Sequence, residues 1–350
     1  MTSSESTSSS MRVRPLTEAD DAAWETALAE SCQASPLQWL PWLRCVGRHV
    51  GEVEIIGVER EGKLIAGLAG MVTPLGGARR FSTIGLTAYH GLWIRDAGLR
   101  SSRAESLLIS VVECLIPFLN ERYVHWAFAN APELGDPRPF KDIGCQIEVH
   151  CTYRVPLGTA DEIMALMETE ARRWARRAER EGATFEVCES TEETFAILEQ
   201  HARATAERHG MGEEVLPAGF IAEVARTATG AGIGQVFLAR NSAGEPVTSC
   251  LCLWDSNRAF SFLGGSATGQ VSQGEVRFLD HRVFSWLHER GHREVDVLGG
   301  NIPELRNYKK RFNGPPVAYF TISRPGALPQ GRMAHLRAAA KHLIAALRGR

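Results

Sequence analysis

The chain has 350 residues, beyond the length at which a single hydrophobic core stops growing, so two domains are expected. With 44% hydrophobic and 23% charged residues it has enough apolar material for ordinary buried cores. No apolar stretch approaches the roughly 20 residues of a membrane-spanning helix. Thirty-nine Lys plus Arg against 41 Asp plus Glu leave a formal charge of -2, which excludes partners recruited by overall charge; nucleic acid would have to be met by a local patch.

Residues 1–10 are Ser/Thr-rich and lack the basic and apolar regions of a signal peptide, so they read as a disordered leader. Thr17 and Asp20 have capping-box spacing, and Trp24, Ala27 and Leu28 supply an apolar face, predicting a helix over 20–31. Ser35-Pro36 opens a second helix, with Pro41 and Gly47 arguing against its continuity. Strand-like runs at 53–58 and 64–72 flank a turn at Gly62 and form a hairpin. A short strand precedes Tyr89-His90-Gly91, a helical period runs over 102–119, and apolar strands follow at 124–129 and 146–155.

The series returns about 180 residues later, as diverged internal repeats do. Strands at 236–240 and 247–254, a strand ending at Gly264-Gly265, a helix over 275–289 and a strand over 294–298 reproduce the first order. The expectation is an α/β protein of two tandem units, each a mixed sheet flanked by helices. The units span 11–157 and 158–324, with a linker near 156–160 and a basic helical tail over 325–350.

The strongest chemical signal is the run Asp296-Val297-Leu298-Gly299-Gly300-Asn301-Ile302-Pro303, followed by Tyr308-Lys309-Lys310-Arg311-Phe312. A buried strand running into glycines, with Asn301 as an N-cap and Pro303 in the first helical turn, suits ligand approach at the carboxyl end of a strand. The same residues also suit a plain strand-to-helix turn, with Lys309 to Arg311 as a solvated face. Arg172, Arg173, Arg176, Arg177 and Arg180 cluster at helical spacing. They read either as a solvated face paired with Glu179 and Glu181 or as a phosphate-binding patch. His90 is a candidate proton acceptor, with a packed loop residue as the simpler reading, and Cys250 and Cys252 fall on one strand face as core. The eight cysteines show no C-x-x-C pair and no zinc spacing, as in a protein of the reducing cytoplasm, and no metal site is expected.

The segment from Gly299 to Pro303, leading into Tyr308, Lys309 and Phe312, resembles the C-terminal part of the Fem family of aminoacyl-tRNA-dependent transferases, in which an aromatic-Lys pair lies near the transfer site. Leu263-Gly264-Gly265-Ser266 resembles the family's strand-end segment, and the arginines before Gly182 resemble its basic helix. The resemblance is firmest over 171–322. It implies a double Gcn5-related N-acetyltransferase fold and transfer of an aminoacyl group from aminoacyl-tRNA to an amine of a small molecule or peptide. On that basis Lys309 is the catalytic residue; Tyr308, Gly299, Gly300, Asn301, Gly264 and Gly265 bind substrate; Arg172, Arg176 and Arg177 bind tRNA. No tightly bound cofactor is expected.

Acyl-CoA is the alternative donor. The cradle pattern [RQ]-x-x-G-x-[GA] has no intact match in 270–276, and Arg95-Asp96-Ala97-Gly98-Leu99-Arg100 matches it except at the final Arg. Arg208-His209-Gly210-Met211 resembles an acceptor segment, but the Arg and Tyr that follow it in the family are absent, pointing to a different acceptor. A non-catalytic peptide- or carbohydrate-binding module is the remaining reading.

Overall fold

The computed structural model describes residues 11–208, 216–256, 258–267, 273–301 and 303–324. The leader, the basic tail, His209 to Met211 and Gln270 to Ser272 lie outside the described residues.

The first series of elements is β1 (Met11–Pro15), α1 (Asp21–Ala29), α2 (Leu40–Val50), β2 (Val53–Arg60), β3 (Lys63–Leu75), β4 (Ala78–Ser82), the short β5 (Trp93–Ile94), α3 (Ser101–Arg122), β6 (His125–Ala129), α4 (Arg138–Asp142) and β7 (Gln146–Pro156). Two helices follow, α5 (Ala160–Leu166) and α6 (Thr169–Arg180). The second series is β8 (Thr184–Val187), α7 (Glu192–Arg208), α8 (Phe220–Gly230), β9 (Gly234–Arg240), β10 (Pro246–Trp254), β11 (Ala259–Ser266), α9 (Gln273–Glu289), β12 (Glu294–Asp296), α10 (Pro303–Lys309) and β13 (Pro316–Ser323).

Local chemistry explains several boundaries. The Thr17 amide donates to Asp20 Oδ2 at 2.8 Å, closing the expected capping box, although it heads a short 3₁₀ turn and α1 starts one residue later. Pro41 does not break α2, because it lies in the first turn, where its missing N–H has no helical partner. In α6, Ala171, Ala175 and Ala178 form the buried stripe that packs on α9, leaving the arginines on the other side. Every interior residue of β10 from Val247 to Leu253 is buried, so its apolar run reads as a strand covered on both faces.

The strands form one continuous sheet in the order β1-β2-β3-β4-β6-β13-β7-β12-β11-β10-β9-β8, with β5 beside β3. Read from either edge the order is the same: an antiparallel meander, a parallel step across a helical crossover, and then a shared centre. The parallel steps are brief, Arg80 and Phe81 against His125 and Trp126 in the first series, Ala259 and Phe260 against Val295 and Asp296 in the second. At the centre the last strand of each series is exchanged. β13 sits between β6 and β7, while β7 sits between β13 and β12. The sequence repeat gave no sign of this exchange, since it concerns pairing and not the order of elements. The series are also tied by charge: Arg258 beside β11 pairs with Glu133 beyond β6, and Glu133 pairs with Arg154 of β7.

Candidate functional site

Where β12 ends, the chain turns sharply: Leu298 has φ 52° and Gly299 φ 61°, both in the left-handed region. Buried Asp296 supports the turn by accepting the Leu298 amide at 2.9 Å. The same carboxylate accepts Thr152 Oγ1 at 2.5 Å and the Tyr89 hydroxyl at 3.0 Å. Burial raises its pKa above the ordinary range. Three donors on one carboxylate satisfy a group that would otherwise be costly to bury.

Gly300 lies flat on β7. A Cβ there would sit 2.4 Å from the Cys151 carbonyl oxygen, so no larger residue fits without moving the backbone. Asn301 fixes the loop from its other side, accepting the Cys151 amide at 2.8 Å and donating to the Tyr319 hydroxyl at 2.8 Å. The Asn301 side chain thereby ties the loop to both β7 and β13.

Lys309, at the last position of α10, reaches back to this turn. Its half-buried ammonium donates to the Val297 carbonyl and, at 2.7 Å, to the Leu298 carbonyl. Desolvation lowers its pKa to about 8, opposed by the nearby charges of Asp296 and Asp280. Tyr308 points elsewhere: its hydroxyl donates to Asp280 on α9, and the Arg277 guanidinium stacks 3.6 Å from its ring centre. Burial raises Asp280 to about 6. Arg277 is 1% exposed, and its Nε and Nη1 have no hydrogen-bond partner among the described residues. The sequence reading missed Asp296, Asp280 and Arg277. The Asp296 signal was its place at a strand end, and Arg277 and Asp280 were legible only as polar positions three apart on a helix.

The other expected residues separate. Gly265 is needed for packing, because a Cβ would lie 2.3 Å from the His201 backbone of α7, whereas Gly264 is exposed. Arg172 and Arg177 are engaged locally, with Thr169 at 3.4 Å and Glu181 at 2.7 Å, and Arg176 is exposed. His90 is fully buried between Ala69 O at 2.6 Å and the Ala129 amide at 3.4 Å. Burial holds its pKa down to about 4, so it is a packed neutral imidazole. Cys250 and Cys252 are buried. Surface cavities of about 580 Å³ between α7 and α8 and about 320 Å³ beside β1 and α1 lie away from Lys309.

In the segment before α3, part of the capacity to hold a CoA pyrophosphate is already used. The Ala97 amide is taken by Glu30 O at 2.9 Å and the Leu99 amide by Asp96 O at 2.9 Å, and the Arg95 side chain is paired with Glu30 at 2.5 Å.

Comparison with known proteins agrees with this architecture. The family described as acetyltransferase (GNAT) domain matches residues 165–310. No curated protein matches the sequence. Among solved structures, FemX superposes with a TM-score of 0.67 at 12% identity, covering 88% of this chain and 96% of its own. The L-PGS of Bacillus licheniformis gives 0.58 at 15%, covering 89% and 94%. A tandem GNAT protein from the clavulanic acid biosynthesis pathway gives 0.50 at 12%, covering 91% and 100%. At these identities each likeness is one of fold. Among the described residues no helix is long and apolar enough to cross a membrane. The chain has a GNAT-like fold, matched as a GNAT domain over residues 165–310, and shares its whole-length tandem architecture with FemX.

Proposed function

We propose that the chain transfers an aminoacyl group from aminoacyl-tRNA to an amine of a small molecule or peptide. The observation that carries this reading is Lys309. Two of its three N–H donors are fixed by the Val297 and Leu298 carbonyls at a strand exit, which leaves one directed donor for a reacting oxygen. In the transfer, the acceptor nitrogen attacks the ester carbonyl and a C–N bond forms. The carbonyl oxygen gains negative charge, which the Lys309 ammonium stabilises. Collapse breaks the C–O bond to the ribose; the attacking nitrogen gives up a proton and the ribose oxygen takes one up. The turn from Leu298 to Asn301 holds the ammonium in place, and proximity supplies much of the remaining rate. Arg172, Arg176 and Arg177, on the outer face of α6, are the proposed contact with the tRNA phosphates.

The test is incubation of the protein with a pool of charged tRNA and a metabolite extract, with labelled amino acids followed into small products. RNase-sensitive transfer supports the reading. Transfer that survives RNase and requires an acyl-CoA would replace it, and binding of an amine without turnover would reduce the chain to a binding module.

A further inference from the structure

Tyr89 belongs to the first series, yet its hydroxyl is spent on the second. The residue is 0% exposed, packed 5.3 Å from the Tyr319 ring and 6.4 Å from Phe260, an apolar setting in which phenylalanine would serve as filling. The added oxygen donates to Asp296 Oδ2 at 3.0 Å and also meets the Thr152 side chain, itself bonded to Asp296. On its other oxygen, Asp296 accepts the Leu298 amide at 2.9 Å and Thr152 Oγ1 at 2.5 Å. Leu298 has φ 52°, a conformation that leucine avoids and that persists only where its surroundings over-determine it. That conformation places the Leu298 carbonyl 2.7 Å from Lys309 Nζ.

We propose that Tyr89 is a positioning residue for Lys309, acting across the two series through Asp296 and the Leu298 turn. The proposal rests on the reading that Lys309 is the working cation. It gives the first series a part in the chemistry of the second. Removing the hydroxyl leaves Asp296 Oδ2 facing Arg154 Nε at 3.8 Å with no hydrogen-bond donor among the described residues, and the support of the turn weakens.

Lys309 titration reads this directly, without a substrate. The sequence has five lysines, so 13C NMR of the full-length lysine-labelled protein resolves a small set, and Lys309→Met assigns the signal. The charged groups facing Lys309 are Asp296 from β12 and Asp280 from α9, the latter bonded to Tyr308 and near Arg277. Asp296→Asn removes a carboxylate that favours the ammonium, so the Lys309 midpoint should fall by about one unit. Tyr89→Phe loosens the turn that aims the Val297 and Leu298 carbonyls at the ammonium, and losing acceptors that favour the charged form should move the midpoint in the same direction, by roughly 0.5 unit. Tyr89→Phe should add nothing in the Asp296→Asn background.

An unchanged Lys309 midpoint in a cooperatively melting Tyr89→Phe protein overturns the proposal, as do strictly additive effects of the two substitutions. If the shifts occur as expected but Lys309→Met retains full transfer activity, the positioning stands and the proposed catalytic role falls. If Lys309→Met abolishes transfer and Tyr89→Phe shifts nothing, the catalytic role stands and the positioning falls.

Discussion

The two parallel steps of the sheet have the same frame and opposite contents. In the first, β4 and β6 part after two paired residues and the chain over 83–94 fills the gap: the Gly91 amide donates to Ala129 O at 2.7 Å, and Tyr89, His90, Leu92 and Trp93 are all 0% exposed. Beyond β6, Leu134 and Phe140 continue that apolar filling. In the second, β11 and β12 part in the same way, but the strand exit carries a left-handed turn, a buried carboxylate and the Lys309 ammonium. A filled gap costs little and holds the sheet; one lined with charged groups carries desolvation penalties that packing alone does not require. The comparison teaches that a duplicated frame can gather charged groups at one copy's strand exit and apolar filling at the other's. We propose the division between the copies at residues 157 and 158, each lending its last strand to the other.

The comparison breaks most sharply at Lys309. Lys309→Met should lower turnover about a hundredfold or more with stability spared, since losing a transition-state donor costs about 2.7–4 kcal/mol. Lys310→Met should change it little, because adjacent helical residues point about 100° apart. An equal loss from both substitutions, measured as kcat, would remove the proposed site.

The filled copy is tested by its histidine. His90 has a folded pKa of about 4, below its ordinary 6.5, so the unfolded chain binds the extra proton between those values. Stability should therefore be full above pH 6.5 and decline as pH falls towards 4, by about 3 kcal/mol in all. Urea melts at pH 7 and pH 4.5 measure this. If the His90 contribution is absent, a His90→Asn protein will show the same pH slope as the parent.

The charged copy has its own pH signature. Lys309 loses its proton near pH 8, so an ammonium-dependent rate should drop about tenfold per unit above that value. A rate that keeps rising to pH 9.5 would assign Lys309 to another role. The smallest effect belongs to the outer face of α6. Replacing Arg172, Arg176 and Arg177 with Ala should weaken tRNA binding and flatten its salt dependence by roughly 0.7–0.9 of a log unit per lost contact. Unchanged affinity and slope would leave those arginines as a solvated face.

Much of the frame was legible because it is written in local periodicity: the hairpin of β2 and β3, the helix α3, and the return of the same order in β9 to β12. The site was legible in part. Gly299 and Gly300 are adjacent and Lys309 follows one short helix later, and the structure brings them to one turn. Tyr308 was read as shaping the pocket, and its bond to Asp280, a carboxylate whose charge reaches Lys309, was not legible because Asp280 lies on another helix. Asp296 was seen only as the end of a strand, and its partners Tyr89 and Thr152 lie more than a hundred residues away, beyond any local pattern. The strand exchange was invisible for the same reason: pairing partners are a property of the closed sheet.

That exchange reaches back to the chain's synthesis. β6 pairs with β13, placing Thr321 opposite Ala129 across about 190 residues of sequence. While the ribosome is still making the second series, β6 and β7 already exist with no strand between them, two bare edges of the kind that recruit foreign strands. The first half is therefore expected to leave its sheet open as it emerges and to close it together with the second half. A nascent chain stalled before residue 316 should be protease-sensitive and aggregation-prone along its whole length, and release of the last strand should protect both halves together.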